Sequence, residues 1–389
     1  MSEGFQPLAG VRVVEISSFV AVPLAGMTLA ALGADVVRID PVGGAADAGR
    51  WPLTETTTET ETGESIYWAG LNRGKRSMTV DMRSADDRDL VVRLIAAAGV
   101  FITNAAGREW HSYEVLAERR PDLIHLEVIG RGDGSTAVDY TVNAGTGFPL
   151  ITGPADHRGP VNHVMPAWDV SCGLYAVLAV LAALRKRDET GQGGAIRLPL
   201  DDVALATAAN LGFLTEVLVN GRQRPRLGNS VFGQYGQDFA SSDGHWFMVV
   251  ALTPRHVADL TELTGTGAAV AAVAEALGAD FTDEGTRYEH RDVLTALFAA
   301  WFRSHTAEEI SAALQGSSVL WERYQDFAEV AASERVQDNP LFAPLDQPRI
   351  GSYLAPGLPI SVDGEHPRAA AAPELGRDNT AVVSEWLGE

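Results

Sequence analysis

The chain has 389 residues, with 30 Lys and Arg against 51 Asp and Glu, for a formal charge of -21. So acidic a surface excludes nucleic acid as the expected partner, because a polyanion needs cations to displace its counterions. The lone cysteine, Cys172, excludes an intrachain disulfide and points to a reducing, cytoplasmic setting.

The first eight residues have neither a basic segment nor an apolar run, so no leader is expected there. Residues 11–16 are rich in β-branched side chains and read as a buried strand. The Ala-rich stretch 24–32 reads as a helix, Gly33 stops it, and 34–40 reads as a second strand. The alternation continues with a strand at 78–80, a helix at 85–98, a strand at 100–103, a helix at 114–120 and a strand at 123–129. Strand–helix–strand repeats of this kind predict an α/β fold with an open, mostly parallel, Rossmann-like sheet. The Thr- and Glu-rich run 54–64 reads as a solvated loop. Residues 167–187 are strongly helical. Their longest apolar stretch, 174–184, is shorter than the ~20 residues of a membrane span, so no membrane partner is expected. A strand at 195–200 and a helix at 203–219 follow, then a polar, Gly- and Pro-rich stretch at 222–236. A new strand at 246–251 and helical patterns through 315 predict a smaller α/β domain. The expected organisation is a large domain at 1–225, a small one at 226–335, and a C-terminal segment at 336–389 that packs back on the large domain.

In an open parallel sheet, ligands bind at the carboxyl ends of the strands. That rule gathers Ser17, Ser18, Asp40, Asn104 and Arg131 at one rim. The turn after the first strand lacks G-x-G-x-x-G, which disfavours a nicotinamide or flavin site. No P-loop, H-E-x-x-H or G-x-S-x-G occurs, and no metal site is expected. Against the acidic background stands Asn72-Arg73-Gly74-Lys75-Arg76. Three cations within one turn suggest a specific anionic ligand, or else a solvated loop.

Leu8-Ala9-Gly10-Val11-Arg12-Val13-Val14-Glu15, Leu32-Gly33-Ala34-Asp35 with the strand that follows, and Leu71-Asn72-Arg73-Gly74-Lys75-Arg76-Ser77 together resemble the family III CoA transferases. The formyl-CoA transferases and α-methylacyl-CoA racemases belong to the same superfamily. The likeness extends over nearly the whole chain. It implies an acyl-CoA substrate, no permanently bound cofactor, coenzyme A entering as part of the substrate, and a homodimer of interlocked subunits. It also implies that Asp169, near the start of a long helix, is the nucleophile. Taken alone, an Asp there is most often a helix cap. By the same resemblance Arg38, Asn72, Arg73, Lys75, Arg76, Asn104 and Arg131 line the CoA site, with Ser17, Ser18 and Leu71 beside them.

The stretches around Val138-Asp139-Tyr140, Asn162-His163 and Gly351-Ser352-Tyr353 are similar to a branch that moves CoA between the two carboxyls of one unsaturated diacid. The racemase branch has His where this chain has Val138, which disfavours racemisation. Asp139 reads either as structural or as part of the site. His163, Arg131 and Arg226 are the candidates to hold the diacid's free carboxylate. Residues 228–236, including Gly233, correspond to a loop over the nucleophile, with fewer glycines than the transferase pattern. Cys172 reads as packing. Two other readings stay open: transfer to a free acid such as mesaconate, itaconate or succinate, and a non-catalytic acyl-CoA-binding protein, against which Asp169 speaks.

Overall fold

The β-branched run near the start of the chain forms β1 (Arg12–Ile16), whose last four residues are buried. The computed structural model describes residues 5–56, 62–105 and 107–389, so the middle of the Thr- and Glu-rich loop lies outside the described residues. In chain order there follow α1 (Ala21–Ala31), β2 (Asp35–Pro41), α2 (Ile66–Leu71), β3 (Arg76–Val80), α3 (Ala85–Ala98), β4 (Val100–Thr103), α4 (Tyr113–Arg119), β5 (Ile124–Ile129), α5 (Asp139–Gly145), α6 (Phe148–Ile151), α7 (Ala167–Thr190), β6 (Gly194–Pro199), α8 (Leu200–Asn210) and α9 (Phe213–Asn220).

Strands β1 to β6 make one sheet in the order β3-β2-β1-β4-β5-β6, and every pair is parallel. This is the predicted α/β architecture. The order reverses between β1 and β4, so the crevice beyond their carboxyl ends is the expected ligand position. Ser18 and Asn104 meet there: the Ser18 amide donates to Asn104 Oδ1 at 3.0 Å, and Asn104 Nδ2 donates to the Ser18 carbonyl at 2.8 Å.

The chain divides into two compact units. The first comprises Met1–Thr146, His163–Gly221 and Glu334–Glu389; the second comprises Gly147–Asn162 and Arg222–Ser333. Residues Gly147–Asn162, assigned from sequence to the large domain, group with the second unit. That unit is built on the antiparallel strands β7 (Tyr235–Ala240), β8 (Trp246–Ala251) and β9 (Leu320–Arg323). Its core includes Phe247, Phe298 and the stacked rings of Phe239 and Phe302, 4.3 Å apart. In the first unit, Asp378 Oδ2 accepts from the Ser77 amide at 2.8 Å and Asn379 Oδ1 from the Thr79 amide at 2.9 Å. The C-terminal segment thereby satisfies the free edge of β3, which would otherwise invite another strand.

Helix α7 corrects one expectation. It spans 24 residues and is, by length and composition, apolar enough to cross a membrane. The apolar run looked shorter in sequence because Asp169 and small residues interrupt its start. Its inner stripe, Trp168, Cys172, Ala176, Val180 and Leu184, is buried in the first unit at helical spacing. Gly173 lets α7 approach α1, since a Cβ there would sit 2.7 Å from the Ala21 carbonyl oxygen.

Candidate active site

A buried ionic network lies under the crevice. Arg38 is about 1% exposed; its guanidinium pairs with Asp40 at 3.0 Å and with Asp47 at 2.9 Å. It also donates to Asn72 Oδ1 at 3.1 Å and to the Ser17 carbonyl at 3.2 Å. Lys75 Nζ donates to Glu15, the Pro23 carbonyl and Asn72 Oδ1, each at 2.8 Å. Burial pushes the Lys75 ammonium down to about 8, against the pull of Glu15. The Ser17 hydroxyl donates to Glu15 at 2.6 Å. Asp47 carries the network to the rim, because its Oδ2 accepts from the Phe19 amide at 2.9 Å and holds Phe19 at a φ of 69°.

The cationic knot therefore corrects the sequence reading. Its three charges diverge. Lys75 is spent in the core, as is Arg38, and Asn72 is the acceptor that joins them. Arg76 bridges Asp35 at 3.2 Å and Glu385 at 2.8 Å. Arg73 donates to the Pro356 carbonyl at 2.9 Å, while its buried Nε has no partner. Leu71 ends α2, partly buried. Arg38 and Lys75 are both buried, and Lys75 Nζ has three internal acceptors. Arg131 follows β5 at the carboxyl rim, and its guanidinium donates to the local Thr136 carbonyl at 3.3 Å.

The start of α7 is built differently from a self-capped helix. Its N-cap is Pro166, which offers no side-chain acceptor. Asp139, at the start of α5 and 3% exposed, supplies one instead: its Oδ2 accepts from the Trp168 amide at 2.8 Å and the Asp169 amide at 3.1 Å. Two of the orphan donors of a helix start are thus satisfied from another element. Oδ1 of Asp139 pairs with His163 Nε2 at 3.1 Å. Asp139 is structural and part of the site at once, and His163 is tied to it. The Asp169 carboxyl, relieved of capping, is partly buried and pushed up to about 6. Burial is the main cause, the Asp139 charge adds to it, and Arg50 opposes it. The Cys172 thiol below is buried and pushed up to about 12, as suits a packing residue.

Two neighbours of Asp169 escaped the sequence reading. Arg50 stacks its guanidinium on Phe19 and Tyr67, 5.1 and 5.0 Å from the ring centroids. The Tyr67 hydroxyl is buried without a hydrogen-bond partner among the described residues. Burial raises its pKa, Arg50 opposes this, and the Asp169 charge adds to the rise. The only sequence signal was a lone cation ending the Gly- and Ala-rich run after β2.

Arg226 and Gly233 belong to the second unit. Arg226 Nη2 donates to the Leu150 carbonyl at 2.9 Å and the Gly159 carbonyl at 2.8 Å. It pins the segment that carries them, while its buried Nη1 has no hydrogen-bond partner among the described residues. Gly233 has a φ of 75° in the turn before β7.

The model of CoA-transferase family III matches residues 8–379. A 2-methylfumaryl-CoA isomerase of Chloroflexus aurantiacus is 43% identical over 389 aligned residues, spanning 98% of this chain and 94% of its own. A succinyl-CoA:mesaconate CoA-transferase of Haloarcula marismortui is 27% identical, spanning 97% and 96%. Among solved structures, a CAIB/BAIF family protein from Brucella suis is similar with a TM-score of 0.80 and 28% identity, over 98% of this chain and 99% of that one.

Proposed function

Because the chain belongs to CoA-transferase family III and is an enzyme of that family, we propose that it moves CoA between the two carboxyls of 2-methylfumaryl-CoA (mesaconyl-CoA). The observation that carries this reading is the Asp169 carboxyl, freed from capping by Asp139 at the start of α7. The 43% identity to an isomerase of that substrate supports the choice of diacid.

Asp169 attacks the thioester carbonyl, the C–S bond breaks, and CoA leaves as thiolate. A mixed anhydride joins Asp169 to the diacid. The thiolate then attacks the aspartyl carbonyl and expels the diacid carboxylate, leaving an aspartyl-CoA thioester. The other carboxylate of the retained diacid attacks this thioester. Reversal of the same steps releases the isomeric CoA ester and regenerates Asp169. Each thioester bond broken is matched by one formed, so no external acid, oxidant or reductant enters. CoA comes and goes as part of the substrate. In this reading the adenosine end sits near Ser18, Asn104 and Arg131, which the strand-end rule supports at the rim where β1 and β4 diverge. The expected homodimer and cytoplasmic location belong to this proposal, the latter on the free, buried Cys172.

The test is turnover of 2-methylfumaryl-CoA by the purified protein with no added acid, followed chromatographically. Isotopically labelled mesaconate, added in excess, should enter the CoA ester in only a small fraction of turnovers. The 27% identity to a succinyl-CoA:mesaconate transferase favours one other reading, transfer to a free acid. Label incorporation at every turnover, or a strict need for added acid, would decide for it.

A further inference from the structure

We propose that Arg50 and the Tyr67 hydroxyl form the subsite that holds the free carboxylate of the diacid beside Asp169. The proposal rests on the CoA-transfer reading above and extends it to residues that neither the motifs nor the strand-end rule had singled out.

Arg50 is exposed, in a chain of net charge -21, and has no carboxylate within ion-pair distance among the described residues. Its neighbours are aromatic faces. A guanidinium held over ring faces spends no N–H group on a carboxylate and keeps them for a planar anion. Tyr67 presents a complementary lack. A buried hydroxyl left unpaired is costly, and a carboxylate oxygen would satisfy it. Both groups feel Asp169: its charge acts on Tyr67, and Arg50 draws the Asp169 carboxyl down against burial.

The platform is built before any ligand arrives. Ser65 Oγ donates to the Arg50 carbonyl at 2.6 Å and accepts from the Trp68 amide at 3.0 Å, capping the helix α2 that bears Tyr67. The Arg50 amide donates to the Asp47 carbonyl at 3.1 Å, and Asp47 also fixes Phe19. The buried Arg38–Asp47 pair thus holds the Phe19 wall, and Ser65 ties the helix of Tyr67 to Arg50. His163 is paired with Asp139, and Arg226 Nη2 is held by the Leu150 and Gly159 carbonyls.

The chemistry asks for such a site. The carboxyls of 2-methylfumarate lie trans across a double bond and point apart. Once CoA sits on Asp169, the free diacid must present its second carboxylate to the thioester. A cation that accepts either carboxylate lets the diacid turn end for end without leaving.

The experiment titrates the full-length wild type and Arg50→Gln, Arg50→Lys and Tyr67→Phe with 2-methylfumarate by calorimetry in saturating CoA. Crotonate serves as a one-carboxylate control, and circular dichroism checks the fold. Losing a bidentate charged partner should weaken diacid binding at least about tenfold in Arg50→Gln, with partial recovery in Arg50→Lys. Tyr67→Phe should weaken it about threefold to tenfold and is the independent variant if Arg50→Gln does not fold. In turnover, Arg50→Gln should let labelled mesaconate enter the product more often than wild type does. Absence of diacid binding to the wild type, equal binding by Arg50→Gln, or equal loss for crotonate would overturn the subsite. Failure of the wild type to convert 2-methylfumaryl-CoA would instead count against the reaction, and the calorimetric comparison would still judge the subsite.

Discussion

In the proposed route Asp169 attacks only when ionised, so its environment would set the acid limb of the reaction. With its carboxyl pushed up to about 6, kcat/KM should rise as the pH passes through about 6 and level off above it. A pH–rate profile checks this, and a limb near 4 would mean that the carboxyl is solvated as an ordinary surface acid. The same shift has a stability sign. A raised carboxyl pKa favours the neutral form in the fold, so its contribution is present below the ordinary aspartate value of 3.8 and lost as the pH rises through about 6. Asp169→Asn should therefore stabilise the protein at pH 7, by about 1–2 kcal/mol after discounting for partial exposure. Asp169→Ala should abolish turnover while keeping the fold, and more than trace activity in the purified variant would rule out the covalent route. Asp169 was legible in the sequence through its motif. Its environment was not, because Asp139 is 30 residues away in the chain and Arg50 more than a hundred.

At the scale of elements, two contacts that cross the chain decide what the local motifs mean. The first is the cap that α5 supplies to α7. Removing the Asp139 charge in Asp139→Asn should lower the acid limb assigned to Asp169, because that charge is the second cause of its upward shift. The amide side chain keeps one acceptor oxygen, so the helix start should survive. Asp139→Ala removes the acceptor as well and should cost about 1–2 kcal/mol. An unmoved limb in Asp139→Asn would leave burial as the whole cause. The second contact joins β1, β2 and the turn after α2. Lys75→Ala strands Glu15, fully buried beside Arg38, and breaking a buried pair costs about 3–5 kcal/mol. Chemical denaturation should show this loss, whereas a mere phosphate contact would raise KM and leave stability unchanged. The strands themselves were readable, since period and β-branching suffice for β1, β2, β4 and β5. The fate of Arg73, Lys75 and Arg76 was not. A cluster of cations in sequence gives no direction to its side chains, and here they leave the same turn toward the Pro356 carbonyl, the buried Glu15 and Glu385.

For the whole molecule, the surface of the first unit argues for a partner copy. The inner stripe of α7 is buried, yet Leu174 and Leu178 on its other face are 54% and 60% exposed. Along α9, Leu218 is 84% and Val219 75% exposed, and no residue of that helix is buried. Large apolar side chains left exposed on α7 and α9, each packed against α8, mark a candidate interaction surface, because isolated ones are common but several together are not. The homodimer implied by the family resemblance supplies a second copy of the same apolar surface, as two-fold assembly does. Light scattering coupled to size exclusion should then give twice the chain mass of 41.4 kDa. If the subunits are interlocked, chains cannot separate without unfolding, so the dimer should persist on dilution to nanomolar concentration. Leu218→Lys with Val219→Lys places two charges on the exposed stretch of α9 and should lower both the dimer yield and the melting temperature. A wild-type protein that elutes as a stable monomer, or a double variant with unchanged mass and melting, would assign this apolar face to some other contact.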